Sequence, residues 1–316
     1  MKPDELLDPA FQGLVASGEE QWSLSSLPAV RARVHSTFKP EHSARCEVCW
    51  ITGTDAERLR LRLCLYRPKE HPRNAILPAI LYMHGGGFVL GKPEMADDCL
   101  AGLAEASGAI IVAVDYRLAP EHPFPAPLDD CYTALAWLLA NHRDLSLDPQ
   151  RVVIMGHSAG GGLAAALSIM ARDRGQYSLA GQVLIYPMLD YRTGSGQSPY
   201  PIRDIDTFSW LPAPNQFCWD CLRGRYTVDD DRVGLFSPAL QPDLRNLPPT
   251  FISIGSQDLF LEEDVDFAMR LSRAGVPTEL HIYPGAPHMF DQLPGGVTDQ
   301  LALDVTRALK EFLRKR

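Results

Sequence analysis

Short apolar runs alternate with longer stretches of helical periodicity along most of this chain. The runs at 78–83, 109–114, 151–155, 182–186 and 250–254 are nearly continuous in apolar side chains, as strands buried on both faces are. Helix-like segments fall between them near 95–107, 128–141, 159–173 and 263–274. A strand near 278–283 and a helix near 299–314 close the pattern, and two strand-like runs near 45–52 and 60–67 open it. Such alternation predicts an α/β fold with a mostly parallel central sheet flanked by helices. The opening strand pair is consistent with an antiparallel start. Upstream, Leu6, Leu7, Phe11 and Leu14 have helical spacing, which predicts an amphipathic helical region up to about residue 42.

Residues 190 to about 248 break this rhythm. They are rich in proline and carry Tyr200, Phe208, Trp210, Phe217, Trp219 and Tyr226. The stretch is too long for an ordinary connection and too aromatic for a disordered one. It predicts an insertion over one end of the sheet, packed with the N-terminal helices; a surface excursion with its own small core is the alternative. The chain then divides into 1–42 (first part of a cap), 43–189 (core), 190–248 (cap insertion) and 249–316 (core).

Composition narrows the field. The chain has 316 residues, 46% of them hydrophobic, with 30 basic against 39 acidic residues and a formal charge of −9. That balance argues against a nucleic-acid partner, which would need clustered Lys and Arg. The acidic start, Met1-Lys2-Pro3-Asp4-Glu5, lacks the basic and apolar regions of a signal peptide. No apolar run reaches the roughly 18 residues of a membrane span. A cytoplasmic protein without stable membrane association is expected. Seven cysteines, an odd number in a long chain, do not suggest a disulfide framework. Two Cys-x-x-Cys spacings occur, Cys46/Cys49 and Cys218/Cys221. The first lies in an apparent strand, where residues three apart face opposite sides and grip one ion poorly. No metal site is expected.

The chemistry centres on Gly156-His157-Ser158-Ala159-Gly160-Gly161, set between an apolar strand and an Ala-rich helix. In that setting the glycines permit a cramped turn that raises the serine hydroxyl above the sheet beside a helix N-terminus. His84-Gly85-Gly86-Gly87-Phe88 follows another strand. Backbone N–H groups exposed by consecutive glycines can stabilise a tetrahedral oxyanion, about 3–4 kcal/mol for one donor. It lacks the Lys and Ser/Thr of a phosphate-binding P-loop.

A nucleophilic serine needs a base and an orienting acid. His288 lies in a loop after the last strand and suits the base; His281 is its rival, but falls inside that strand. His35, His42, His71, His122 and His142 have no comparable setting. Asp258 follows the strand at 250–254, at the carboxyl end where open α/β sheets build their sites. Asp190, after an earlier strand, is the alternative acid, while Glu262 and Asp264 read as first-turn helix carboxylates.

The chain resembles the hormone-sensitive-lipase-like branch of the α/β-hydrolases, which includes the bacterial family IV esterases. The pieces that carry the resemblance are His84–Phe88, Asp115-Tyr-Arg-Leu-Ala-Pro-Glu-His-Pro-Phe-Pro-Ala126, Gly156–Gly161, Asp258-Leu259 and His288-Met-Phe290, in order over roughly 80–290. It implies a catalytic set of Ser158, Asp258 and His288, with oxyanion donors on Gly86, Gly87 and Ala159. It also implies a cap from the N-terminus and the insertion, and hydrolysis of short to medium acyl esters without cofactor or metal. A homodimer through the last strand and helix is common among such relatives. The residue before the nucleophile, commonly Asp or Thr in this branch, is His157 here, which reads as a packing or hydrogen-bonding residue. The Asp115–Ala126 segment reads as a brace near the site. The same machinery serves amidases, N-deacetylases and arylformamidases. A non-catalytic small-molecule receptor is a more distant alternative, since such receptors have lost the histidine that is present here.

Overall fold

The computed structural model describes residues 6–14, 22–37, 45–53, 60–69, 75–201 and 209–315. His42, His71, Phe208 and the boundary placed at residue 42 lie outside them, as does the side chain of Leu14. Eight strands form one sheet: β1 Glu47–Thr52, β2 Arg60–Tyr66, β3 Leu77–Met83, β4 Ile110–Asp115, β5 Leu147–His157, β6 Gly181–Ile185, β7 Thr250–Gly255 and β8 Thr278–Tyr283. Their spatial order is β1-β2-β4-β3-β5-β6-β7-β8. β2 runs antiparallel to both neighbours, and every pairing from β4 to β8 is parallel. The mostly parallel sheet with an antiparallel start is therefore as the hydrophobic pattern predicts.

The helices are α1 Leu27–Thr37, α2 Asp97–Ser107, α3 Ala126–Ala140, α4 Ala159–Arg174, α5 Pro212–Arg223, α6 Val233–Phe236, α7 Leu261–Arg273 and α8 Gly296–Phe312. None among the described residues is long and apolar enough to cross a membrane. Every residue of β3, β6 and β7 is buried, which explains their unbroken apolar runs. α4 is buried from Ala159 to Ala171. It lies against β5 and β6 on one side and α3 and α6 on the other, so its small side chains face protein all round.

Two local predictions need correction. The N-terminal region is a short 3-10 turn at Pro9–Leu14 and, separately, α1. Ser23 and Ser26 each accept a hydrogen bond from the other's backbone N–H, at 3.0 and 3.1 Å. Those bonds compete with helix and fix the start of α1. β5 begins four residues earlier than the apolar run, because Leu147 pairs with Leu77 before a register shift brings Ala79 opposite Val152. The polar residues Asp148, Gln150 and Arg151 occupy that irregularity and mask the strand in the hydrophobic pattern.

The sheet meets the turn at Ser158 through close backbone contact. A Cβ on Gly160 would lie 2.2 Å from the Met83 carbonyl oxygen and 2.4 Å from that of His84. Helix propensity alone would make Gly160→Ala favourable by about 1 kcal/mol. Overpacking against two backbone carbonyls reverses that sign. Gly160→Ala is expected to lose about 1–3 kcal/mol of stability in urea unfolding, and a variant as stable as wild type would contradict this packing.

Candidate active site

Ser158 stands at the turn from β5 into α4 with φ 54° and ψ −119°. Side-chain-bearing residues rarely hold this backbone, so its neighbours must enforce it. The Ser158 N–H donates to the Ile185 carbonyl at 2.9 Å, and the Ser158 carbonyl accepts from the N–H groups of Gly162 and Met188, each at 3.0 Å. Gly156 leaves no space for a side chain, since its Cβ would lie 2.1 Å from the Gly160 carbonyl oxygen.

The loop after β8 brings His288 over the sheet edge, and the turn after β7 brings Asp258 behind it. Ser158 Oγ donates to His288 Nε2 across 2.9 Å, and His288 Nδ1 donates to Asp258 Oδ2 across 2.7 Å. Asp258 Oδ1 also accepts the Phe260 N–H at 3.0 Å. All three side chains are buried. The His288 ring is held edge-on by Tyr186 at 4.6 Å and Phe260 at 5.1 Å. An imidazole so packed is held in one orientation, with Nδ1 toward the carboxylate and Nε2 toward the serine, an arrangement that can take a proton from a serine hydroxyl.

Gly85 brings the glycine loop against this turn: its Cβ would lie 3.2 Å from the His157 carbonyl oxygen and 3.5 Å from Ser158 Cβ. Gly86 and Gly87 have φ of 123° and 60°. Ala159 is the first residue of α4, so its N–H has no partner inside the helix. His84 supports the loop from beneath. Its ring stacks on Tyr116 at 4.2 Å, its Nδ1 lies 2.8 Å from the Gly85 carbonyl, and its own carbonyl accepts the Tyr116 hydroxyl at 2.7 Å. Burial pushes the His84 pKa down, so this imidazole packs as a neutral ring.

The Asp115–Ala126 segment is tied to its surroundings by arginines. Arg62 bridges Asp115 at 2.7 Å and Glu94 at 2.6 Å. Burial alone would raise the Glu94 carboxyl, but Arg62 holds it below the usual range. Arg117 pairs with Asp130, and Arg31 of α1 pairs with Glu121 and donates to the Ala119 carbonyl.

The rival residues are engaged elsewhere. Asp190 is fully buried and pairs with Arg192 at 2.7 Å. His281 lies 2.5 Å from Glu279 and packs tilted against Phe251. His35 and His122 are exposed, and His142 caps the Leu139 carbonyl. His157 sits between Tyr82 and Tyr186, with Nε2 3.5 Å from Asp291. Burial lowers its pKa, with His288 adding to the effect and Asp291 opposing it. All seven cysteines are free, and no cluster of three or more metal-ligating side chains occurs among the described residues.

Three features escape sequence reasoning. Trp210 packs against the His288 ring at 5.9 Å and Trp22 packs on Trp210 at 5.7 Å; aromatic content marked the insertion without saying which ring reaches the site. Cys218 presses on the glycine loop, its Sγ 2.5 Å from where a Gly87 Cβ would be. Asp264 is fully buried with no hydrogen-bond partner on either oxygen among the described residues. Its place in the first turn of α7 reads as that of a helix carboxylate favoured by the macrodipole, and nothing in the local pattern marks its burial.

Residues 80–292 match the α/β-hydrolase fold family. The chain belongs to that family, in its hormone-sensitive-lipase-like branch. Among curated relatives it is 33% identical to the esterase LipI of Mycobacterium tuberculosis, over 69% of this chain and 67% of that protein. It is 32% identical to an ethyl acetate hydrolase of Pseudomonas putida, over 83% and 81%. Among solved structures, a bacterial heroin esterase superposes with a TM-score of 0.89 at 30% identity, over 98% of this chain and 99% of that one.

Burial, together with Glu263 and Asp258, drives the Asp264 pKa well above its ordinary value. The folded chain therefore keeps a proton that the unfolded chain releases above about pH 4. The stability carried by that protonated carboxyl is present at low pH and lost as pH rises. Asp264→Asn is expected to stabilise the protein relative to wild type, with a larger gain at pH 8 than at pH 4.5 in urea unfolding. A gain independent of pH would contradict a buried, protonated Asp264.

Proposed function

We propose that this chain is a serine carboxylesterase that cleaves short to medium acyl esters through an acyl-enzyme. The observation that carries this is the continuous relay from Ser158 through His288 to Asp258, lying beside the glycine loop. The relatives' names support it. Ser158 Oγ attacks the ester carbonyl carbon as His288 Nε2 takes its proton. The negative charge moves to the carbonyl oxygen, where the N–H groups of Gly86, Gly87 and Ala159 stabilise it. Asp258, fixed by the Phe260 N–H, stabilises the imidazolium. Collapse of the intermediate breaks the bond to the leaving oxygen, which departs with the proton from His288. Water then attacks the acyl-enzyme, giving its proton to His288, and collapse releases the acid and restores Ser158.

The cap in this proposal comprises the N-terminal segment with Trp22 and α1, and the insertion with Trp210 and α5. Arg31 joins the first of these to the core, and Ser209 joins the second, its hydroxyl donating to the His288 carbonyl at 2.7 Å. Such a cap excludes water from the relay and strengthens its electrostatics.

Ser158→Ala is expected to reduce kcat/KM on p-nitrophenyl butyrate by at least about 1000-fold while leaving thermal unfolding near that of wild type. Turnover within tenfold of wild type would remove Ser158 from the reaction. Matched butyrate ester and butyramide substrates then distinguish an esterase from an amidase, and the ester is expected to be preferred.

A further inference from the structure

We propose that Trp210 sets the acyl specificity of this site, selecting esters of unbranched acyl groups and rejecting acyl groups quaternary at the α-carbon. This inference rests on the esterase proposal and concerns which esters the same serine accepts. The indole approaches both groups that a reacting carbonyl would meet, Gly87 and His288. Its outer corner, Cη2, is 3.3 Å from where a Gly87 Cβ would stand, and its ring centre is 5.9 Å from that of His288. A carbonyl attacked by Ser158 directs its oxygen toward Gly86 and Gly87 and its leaving oxygen toward His288 Nε2. On this proposal a ring that approaches both Gly87 and His288 covers the carbonyl carbon on the side away from Ser158 Oγ.

The wall is anchored from the protein interior. Trp210 Nε1 donates to Asn215 Oδ1 at 3.2 Å, and the fully buried Asn215 donates through Nδ2 to the Thr193 carbonyl at 2.8 Å. Thr193 in turn donates its hydroxyl to Glu263 of α7. From outside, Trp22 packs edge-on against the indole with planes 81° apart, and Phe217 backs Trp22 at 6.2 Å. Cys218 fills the remaining space above Gly87. With its polar end fixed by Asn215 and one face blocked by Trp22, the indole cannot retreat without breaking a buried hydrogen bond.

This geometry has a selective consequence. A flat ester with a methylene next to the carbonyl fits between a hydroxyl below and an aromatic face above. Three methyl groups on the α-carbon place at least one toward the indole, whatever the rotation about that bond. Acyl length is not restricted in the same way, because a linear chain can leave the gap sideways.

The test compares kcat/KM on p-nitrophenyl butyrate and p-nitrophenyl pivalate for wild type, Trp210→Ala and Trp210→Leu. The intrinsic difference between the two esters is common to all three proteins and cancels. Trp210→Ala is expected to lower the butyrate-to-pivalate ratio at least about tenfold, with Trp210→Leu changing it in the same direction by less. Trp210→Leu fills much of the same volume, so it serves alone, by a drop beyond about threefold, if the alanine variant does not fold. Turnover of butyrate with an unchanged ratio in the folded variants would overturn the specificity role and leave the esterase proposal standing. No turnover of either ester by folded wild-type protein would overturn the esterase proposal, and this inference with it.

Discussion

Ser158 holds a positive φ that would relax in a free chain, at a cost of about 1–3 kcal/mol, and three backbone hydrogen bonds keep it there. Its N–H is bound by the end of β6, and its carbonyl is bound by α4 and by the residues just after β6. This turn exists only because the backbones of Gly156 and Gly160, and of Gly160 with Met83 and His84, approach closer than any side chain allows. The direction of α4, the seat of the glycine loop and the height of the serine hydroxyl all descend from that contact. Changing it would displace the glycine loop and Ser158 together.

Charge around the site is handled in two ways. Carboxylates on and around the Asp115–Ala126 segment are matched by guanidinium groups: Asp115 and Glu94 share Arg62, and Asp130 takes Arg117. Behind Asp258 the arrangement differs, for no arginine or lysine pairs with Glu263 or Asp264 among the described residues. Burial and neighbouring carboxylates raise both of these groups. Glu263 accepts the Leu189 N–H and the Thr193 hydroxyl, bonds that oppose its upward shift and tie the segment after β6 to α7.

Much of this was legible in the sequence because it depends on local patterns. The buried strands β3, β4, β6 and β7 declare themselves by apolar continuity, and the turn at Ser158 by glycines that no other residue could replace. His288 and Asp258 could be placed by their positions after strands. The early part of β5 was hidden because Asp148, Gln150 and Arg151 make an irregular strand look polar. The N-terminal region looked like extended helix because side-chain spacing carries no record of Ser23 and Ser26 bonding each other. Trp210 and Cys218 were hidden for a different reason. Their contacts with His288 and Gly87 are tertiary, and nothing in a proline-rich aromatic stretch says which ring turns inward.

The separation of these residues along the chain bears on how the protein acquires its shape. The Ser158–His288 hydrogen bond joins positions 130 residues apart, and β3 enters the sheet between β4 and β5, which lie later in the chain. Contacts of such long range are paid for in loop entropy before they are rewarded, so they form late and slowly. The relay has its geometry only once the sheet that carries both of its ends has assembled. A partly assembled sheet would contain every one of its residues and none of its geometry.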